Sequence, residues 1–226
     1  MELKNSLKMV KDRIAGAAAR SGRNPLDITL VAVSKTVDSE TVHRAYELGV
    51  TDFGENRVQQ LHNKANQLPQ ARWHLIGRLQ TNKAKDVVGR VVLIHSLDRW
   101  NLAEELDKRG QKQGVEVPCL LQVNIAGEEQ KAGVEPGEVE TFLDSMGQLK
   151  ALRIYGLMTM APLLDDGEKA RPVFRELYQI KEKLSKYRYN NVEMNYLSMG
   201  MSQDFEVAIE EGANIVRIGS SIFHPD

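Results

Sequence analysis

The sequence has little cysteine, little net charge and no long apolar stretch. Its one cysteine, Cys119, excludes a disulfide framework and a cysteine-rich zinc site, and it suits a reducing cytoplasm. The 30 lysines and arginines and the 31 aspartates and glutamates give a net charge of −1. That balance disfavours a nucleic-acid scaffold, because such a protein needs excess positive charge to displace phosphate counterions. No apolar run approaches the roughly 18 residues that a membrane span needs.

Signals for export, for linkers and for metal binding are missing as well. The first residues alternate between polar and apolar and lack a signal-peptide core. The 17 glycines and 7 prolines are scattered, so no low-complexity linker divides the chain. The 5 histidines lack the spacing of metal ligands. We therefore expect one soluble, cytoplasmic domain over residues 1–226, with no metal and with neither a membrane nor a nucleic acid as a partner.

What the sequence does contain is an alternation of short apolar runs with longer amphipathic stretches. Apolar residues from Leu3 to Ala17 recur at spacings of three and four, which predicts an N-terminal amphipathic helix ending near Gly22. Eight short apolar runs follow and have the length of strands. They cover residues 28–33, 51–53, 73–76, 91–95, 117–125, 152–158, 193–197 and 215–218. Helical patterns over 39–48, 139–149 and 170–184 lie between some of them.

This alternation predicts the fold. Parallel neighbours need a crossover of about a dozen residues or more, so alternating strands and helices favour a parallel sheet. Eight such units in a chain of this length fit an α/β single-domain (β/α)8 TIM barrel, with the extra N-terminal helix capping the floor or packing outside. The rival is a doubly wound open sheet, but no G-x-G-x-x-G follows any predicted strand.

The segments after the strands of such a barrel form its mouth, where active sites lie. Barrels frequently hold a phosphate between the segments after strands seven and eight. Gly200 and Ser202 follow the seventh run, and Gly219 and Ser220 follow the eighth. Such residues offer unobstructed backbone N–H groups and small hydroxyls, which a phosphate site needs. We favour a phosphate site over the alternative that these residues only form tight turns and helix caps.

Lys35 is the second feature of the predicted mouth. It comes just after the apolar run 28–33, where a surface lysine would be an unusual choice. Burial there would favour the free amine, which is the form that attacks carbonyls. The alternative is a lysine whose stem reaches from the strand end to solvent. A carbonyl-reactive amine facing a phosphate site indicates pyridoxal 5′-phosphate (PLP), which presents both an aldehyde and a phosphate.

Arg217 is the third feature. It lies two residues before Gly219, so the alternation of a strand points both residues to the same face. Its guanidinium would then reach the cofactor ring beside the phosphate. The alternative is a barrel-lining arginine that pairs with a carboxylate.

Six motifs around these residues carry a resemblance to a known family. They are Ala32-Val33-Ser34-Lys35-Thr36, Phe53-Gly54-Glu55-Asn56, Trp73-His74-Leu75-Ile76-Gly77 continued by Leu79-Gln80-Thr81-Asn82-Lys83, Gly156-Leu157-Met158, Leu197-Ser198-Met199-Gly200-Met201-Ser202 and Val216-Arg217-Ile218-Gly219-Ser220. Over nearly its whole length the chain resembles the PLP homeostasis proteins, which are related to the barrel domain of alanine racemase.

The resemblance implies a role for each residue of the site. Lys35 would bind PLP covalently as an aldimine, and Arg217 would face the pyridine nitrogen. The resemblance also implies a phosphate cradle, two pocket residues and two wall positions. These are Gly200, Met201, Ser202, Gly219 and Ser220 for the phosphate, Asn56 and His74 for the pocket, and Met158 and Ser198 for the wall. Members of this family bind PLP and influence its cellular supply, without an established catalytic turnover.

The sequence departs from the family pattern at Arg78 and Gln203 on the rim, at the C-terminus and in one further segment. The last motif continues through Phe223 into His224-Pro225-Asp226, where the family commonly has glycine after Phe. The stretch that carries an active-site arginine in alanine racemase reads Gln130-Lys131-Ala132-Gly133, and a lysine cannot form the same bidentate fork. Lys83 and Lys131 are candidate docking points for incoming PLP; solvated surface lysines are the alternative.

The chemistry favours a carrier over an enzyme. PLP withdraws electrons best when its pyridine nitrogen is protonated, and a cationic Arg217 would keep that nitrogen unprotonated. Racemisation also needs a second acid or base, which alanine racemase takes from an additional domain that this chain has no room for. We expect a monomeric, non-catalytic protein that stores, buffers or delivers PLP, with apo PLP-dependent enzymes as possible partners. The alternatives are weak racemase-like activity using His74 or Tyr196, and a Schiff-base aldolase using Lys35.

Overall fold

The computed structural model describes residues 2–127, 132–162 and 165–225. Within these ranges, eight parallel strands close into a barrel in chain order. The last strand pairs with the first, and Val31 stands opposite Arg217. The predicted (β/α)8 barrel is confirmed and the doubly wound sheet is wrong. The strands are β1 (Thr29–Val33), β2 (Asp52–Glu55), β3 (Arg72–Leu75), β4 (Leu93–Leu97), β5 (Val117–Gln122), β6 (Leu152–Met158), β7 (Val192–Ser198) and β8 (Ile215–Ile218).

Helices surround the barrel, most of them with one face buried against it. They are, in the described part of the chain, α1 (Glu2–Arg20), α2 (Ser39–Glu47), α3 (Val58–Gln67), α4 (Trp100–Gln113), α5 (Val139–Ser145), α6 (Arg171–Leu184), α7 (Phe205–Glu210) and α8 (Ser220–Phe223). The helix predicted over 139–149 is shorter than expected, because α5 gives way to a 3-10 turn over Met146–Gln148. Gly147 lies in that turn, and glycine disfavours a continued α-helix. None of the helices in these ranges has both the length and the apolar character needed to cross a membrane.

The extra N-terminal helix packs outside the barrel. Its apolar stripe, which includes Leu7, Val10 and Ile14, is buried, and the helix contacts α7 and α8. Ion pairs border this contact, with Arg13 Nε at 2.7 Å from Glu206 Oε1. Burial of an apolar stripe supplies most of the free energy that holds such a helix to a domain. Because α1 lies against α7 and α8 on the outside of the barrel, the alternative that it caps the barrel floor is wrong.

The barrel interior holds an apolar layer and a set of polar side chains. The apolar layer is formed by Val31, Leu93, Leu120, Met158 and Ile215. The larger apolar core lies between the strands and the surrounding helices. The polar side chains of the interior come from alternate positions on the strands, because successive strand residues point to opposite faces of the sheet.

One glycine of the quoted motifs is required by this packing. Gly156 on β6 has φ of 148°, and a Cβ there would lie 2.0 Å from the Tyr196 carbonyl oxygen of β7. No side chain fits at such a distance from backbone, so only glycine allows β6 and β7 to approach each other here.

Candidate functional site

A cavity of about 530 Å³ opens at the carboxyl end of the barrel strands. Residues from the segments after β1, β2, β7 and β8 line it, as the geometry of a parallel barrel requires. Of the predicted site residues it brings together Lys35, Asn56, Met201, Ser202, Arg217, Gly219 and Ser220. We call this cavity the mouth cavity.

Lys35 extends from a firmly held strand end. The residue before it, Ser34, is buried and its Oγ donates a hydrogen bond to Glu55 Oε1 at 2.7 Å. Lys64 Nζ donates to the Ser34 carbonyl oxygen at 2.6 Å and to the same Glu55 oxygen at 2.7 Å. Lys35 itself is exposed, so the expectation of a buried amine is wrong. Because β1 ends at Val33, the Lys35 side chain lies beyond the strand, at the rim of the open cavity.

Arg217 lies at the base of the mouth cavity and is 4% exposed. Its Nη1 donates to Ser198 Oγ at 2.6 Å and its Nη2 donates to the Thr159 carbonyl oxygen at 2.9 Å. Both partners are neutral, so within the described ranges the guanidinium is held by dipoles and not by a direct contact with a carboxylate. Burial lowers the pKa of Arg217 to about 10, with the charge of Asp204 opposing that shift. At neutral pH the side chain is still a cation.

The segments after β7 and β8 lie side by side at the mouth. Ser221 Oγ and the Ser202 carbonyl oxygen are 3.5 Å apart, at the limit of a hydrogen bond. Gly200 has φ of 93°, and a Cβ there would lie 2.9 Å from the Phe205 Cα, so this turn needs glycine. Its amide neighbour is engaged within the turn, because the Met201 N–H donates to Asp204 Oδ1 at 2.6 Å. Burial raises the pKa of Asp204, although this hydrogen bond and the charge of Arg217 oppose the shift.

Four predicted site residues lie outside the lining of the mouth cavity. Gly200 is buried behind the turn just described, and Met158 belongs to the apolar layer of the interior. Ser198 lies beneath Arg217, to which it is hydrogen-bonded. His74 lines a separate cavity of about 240 Å³ at the opposite opening of the barrel. We call this second cavity the floor cavity.

His95 is a buried interior residue that the motifs of the sequence did not single out. Its Nδ1 lies 2.8 Å from Ser198 Oγ and its Nε2 lies 2.9 Å from His74 Nδ1. Burial lowers the pKa of His95 far below its ordinary value, and the positive charge of Arg217 adds to the shift. His95 is therefore neutral. The sequence could have indicated this position, because His95 follows Leu93 by two residues on β4. Strand alternation places both side chains inside the barrel.

Of the departures from the family pattern, the structure describes the one at the C-terminus and not the one at Gln130 and Lys131. His224 lines the mouth cavity, and its Nε2 lies 2.9 Å from Thr36 Oγ1, so the C-terminal segment docks beside Lys35. Lys131 and Gln130 lie outside the described residues. Lys83 lines a neighbouring cleft with Arg78 and Asn56, both of which also border the mouth cavity.

The comparisons with known proteins agree with this geometry. Residues 6–225 match the family described as alanine racemase, N-terminal domain. The pyridoxal phosphate homeostasis protein of Aquifex aeolicus (strain VF5) is 47% identical over 219 residues, covering 96% of this chain and 95% of that protein. The protein of the same name from Escherichia coli (strain K12) is 34% identical over 227 residues, covering 98% and 96%.

Solved structures extend the comparison to the whole barrel. The structure of PipY from Synechococcus elongatus PCC7942, with PLP bound, has a TM-score of 0.81 and 35% identity, and the match covers 93% of this chain and 99% of PipY. An alanine racemase of Clostridium difficile 630 shares the fold alone, with 14% identity, a TM-score of 0.75 and coverage of 98% of this chain and 55% of the racemase. The fold and these matches define an alanine racemase-like barrel. The chain belongs to the family of pyridoxal phosphate homeostasis proteins.

Proposed function

We propose that this protein binds PLP as a Schiff base on Lys35 and stores, buffers or delivers it in the cytoplasm. The observation that carries the proposal is that Lys35, Arg217 and Ser202 line one cavity. The volume of that cavity, about 530 Å³, falls in the range of small-ligand sites, roughly 300–1,000 Å³. Lys35 would supply the amine for this linkage, condensing with the aldehyde of PLP with loss of one water. PipY, a relative of similar length, has been solved with PLP bound.

Each part of PLP has a proposed partner in the mouth cavity. We assign the phosphate to Ser202, Gly219 and Ser220, with Gly200 and Met201 shaping the turn that holds it. Arg217 is assigned to the pyridine nitrogen, and Asn56 to the wall of the pocket. We do not assign direct contacts with PLP to His74, Met158 and Ser198, because they lie outside the lining of the cavity.

The same geometry supports a carrier more than a racemase. Arg217 is a cation at neutral pH, and a cation at the pyridine nitrogen keeps PLP a weak electron sink. The two side chains considered as second bases, His74 and Tyr196, both line the floor cavity at the other opening of the barrel. Neither reaches a substrate bound at the mouth cavity. We therefore propose a non-catalytic monomer whose partners are PLP and apo PLP-dependent enzymes.

The covalent attachment is tested by trapping. PLP added to the purified protein should produce a visible absorbance that borohydride bleaches, with the added mass on a peptide containing Lys35. Lys35→Ala should lose the covalent adduct and keep weaker binding of PLP, because the phosphate contacts remain. Lys8→Ala, which removes an exposed lysine of α1 on the outside of the barrel, is the matched control and should label as the parent does. Equal labelling of Lys35→Ala would refute the assignment.

The delivery role needs a separate experiment. The loaded protein is mixed with an apo PLP-dependent enzyme, and recovery of that enzyme's activity is timed with and without an agent that traps free PLP. Recovery that is faster than with free PLP and resists the trap supports direct delivery. A recovery that the trap abolishes would leave storage by release as the only mode. Interconversion of alanine enantiomers above the rate with free PLP would instead favour the racemase, and an adduct formed with a substrate but not with PLP would favour the aldolase.

A further inference from the structure

A continuous line of polar side chains crosses the barrel interior from the mouth cavity to the floor cavity. Arg217 Nη1 lies 2.6 Å from Ser198 Oγ, and Ser198 Oγ lies 2.8 Å from His95 Nδ1. His95 Nε2 lies 2.9 Å from His74 Nδ1, and His74 Nε2 lies 2.9 Å from Asp52 Oδ1. Every member of this line is buried, with Asp52 at 6% exposure and His95 at 0%. We call these five residues the interior line.

The donors and acceptors of the interior line can all be satisfied in one direction. Arg217 only donates, so Ser198 Oγ accepts a hydrogen bond from it. The Ser198 hydroxyl can then donate a hydrogen bond to His95 Nδ1. His95 is neutral and then carries its proton on Nε2, which donates to His74 Nδ1. His74 in turn carries its proton on Nε2 and donates to the carboxylate of Asp52. In this arrangement each bond runs from the mouth towards the floor, and a proton on His95 Nε2 is what distinguishes it from the opposite direction.

The line ends on an ionised carboxylate. Burial favours the neutral form of Asp52, but hydrogen bonds from His74, Thr51 and Arg72 outweigh it and bring the pKa down to about 2. Each member between Asp52 and Arg217 then presents its acceptor atom towards the guanidinium. Hydrogen bonds that point the same way polarise one another in a low-dielectric interior.

We propose that Asp52 and His95 are positioning residues that act on the mouth cavity through Arg217. They fix the orientation of the guanidinium and lower the positive potential that it projects into the cavity. This inference rests on the proposed function, because it concerns how the protein treats bound PLP. Asp52 and His95 make no contact with the cofactor in this proposal. The other charged and titratable groups that line the two cavities are Arg72, Glu116, Tyr155 and Tyr196 at the floor, and Lys35, Arg78, Asp204 and His224 at the mouth.

The direction of the line is tested first on the protein without PLP. Long-range ¹H–¹⁵N spectra of the histidine side chains report which ring nitrogen carries the proton. We expect His95 to carry its proton on Nε2, with His74 Nδ1 accepting from it. A proton on His95 Nδ1 would overturn the proposed direction, whatever the protein does with PLP. His43, which lies on α2 with its ring nitrogens near backbone oxygens, serves as the internal reference for a histidine outside the line.

The effect on the mouth is tested by the visible absorbance of the PLP-loaded protein as a function of pH. Asp52→Asn keeps an oxygen that can accept from His74 and removes the charge. The potential at the mouth should become more positive, which disfavours the protonated form of the bound cofactor. We expect the midpoint of the absorbance change to fall by about half a pH unit or more. His95→Leu, which cuts the line in the middle, should shift the midpoint in the same direction.

A matched control acts on the same carboxylate and leaves every hydrogen bond between members of the line in place. Thr51 Oγ1 donates to Asp52 Oδ2, the oxygen that does not face His74. Thr51→Val should therefore leave both the histidine spectra and the absorbance midpoint unchanged. An unchanged midpoint in Asp52→Asn, with PLP still bound, would overturn the inference and leave the proposed function standing. Absence of any visible absorbance in the parent protein would instead refute the proposed function.

Discussion

Lys64 Nζ lies 2.7 Å from Glu55 Oε1 in the protein wall beside the mouth cavity, with both side chains almost completely removed from solvent. The pair also holds Ser34 by its carbonyl oxygen and its hydroxyl group. The second oxygen of the carboxylate, Glu55 Oε2, is buried and is the one such side-chain atom in the described ranges with no hydrogen-bond partner. A charged pair at this place therefore fixes the backbone from which Lys35 projects.

Removing one member of this pair should be costly. In Lys64→Met the carboxylate of Glu55 stays buried without a countercharge, and we expect a loss of about 3 kcal/mol in the free energy of unfolding. Urea unfolding followed by circular dichroism measures it. The control is Lys8→Met, which removes an ion pair of 2.6 Å to Asp12 between exposed side chains and should change stability by less than about 0.5 kcal/mol. Similar losses in the two variants would contradict a special role for the buried pair.

The turn at Gly200 should tolerate no side chain. Gly200→Ala combines a left-handed backbone with a Cβ placed 2.6 Å from the Ala208 side chain, so we expect a loss of about 2 kcal/mol and weaker PLP binding. Thermal unfolding and PLP titration measure the two effects. Gly137→Ala is the control, because a Cβ at that residue would meet none of the described atoms within 4 Å and its backbone is not left-handed. A stable Gly200→Ala that binds PLP normally would show that the turn adapts.

The stability of the protein should fall in acid partly because of Asp52. Its pKa is lowered to about 2 in the folded state, so its contribution is complete above the ordinary value near 4 and disappears as the pH falls towards 2. The expected contribution is about 2 kcal/mol at neutral pH. Unfolding free energies of the parent and of Asp52→Asn, measured between pH 7 and pH 3, should converge as the pH falls. A constant difference over that range would mean that the carboxylate is not stabilised by folding.

Cys119 should resist thiol reagents in the folded protein. It is completely buried in β5, and burial raises the pKa of its thiol far above the ordinary value, which leaves no thiolate to react. A colorimetric thiol reagent should label less than one equivalent over hours in buffer and one equivalent quickly in denaturant. Rapid labelling without denaturant would indicate that β5 opens readily.

The sequence was sufficient for the fold and for the outline of the site. Alternating apolar runs and amphipathic stretches predict a parallel barrel, because eight parallel strands joined by helical crossovers close most simply into one. Lys35, Arg217, Gly219 and Ser202 could be predicted at the mouth because strand ends in a barrel meet at one rim. These predictions depend on local pattern and on one general property of the fold.

The interior line and the pair behind Lys35 could not be predicted in the same way. His95 and Ser198 are separated by 103 residues along the chain, and their contact depends on the stagger of strands that are not neighbours in the sheet. Nothing in the sequence distinguishes Lys64 from a solvent-exposed lysine. It is buried because α3 packs this face against the barrel. The exposure of Lys35 escapes prediction for a similar reason, because the depth of a side chain at a strand end depends on where the strand stops.

The pairing of β1 with β8 sets a condition on when the protein can first act. Lys35 follows the first strand and Arg217 lies on the last, yet the two strands are neighbours in the closed barrel. A ribosome-bound chain that still lacks its final strand has the amine but no opposing guanidinium, and it has no complete pocket. Cofactor loading must therefore wait until nearly the entire polypeptide has been released from the exit tunnel, and a fragment truncated before β8 should remain uncoloured in the presence of PLP.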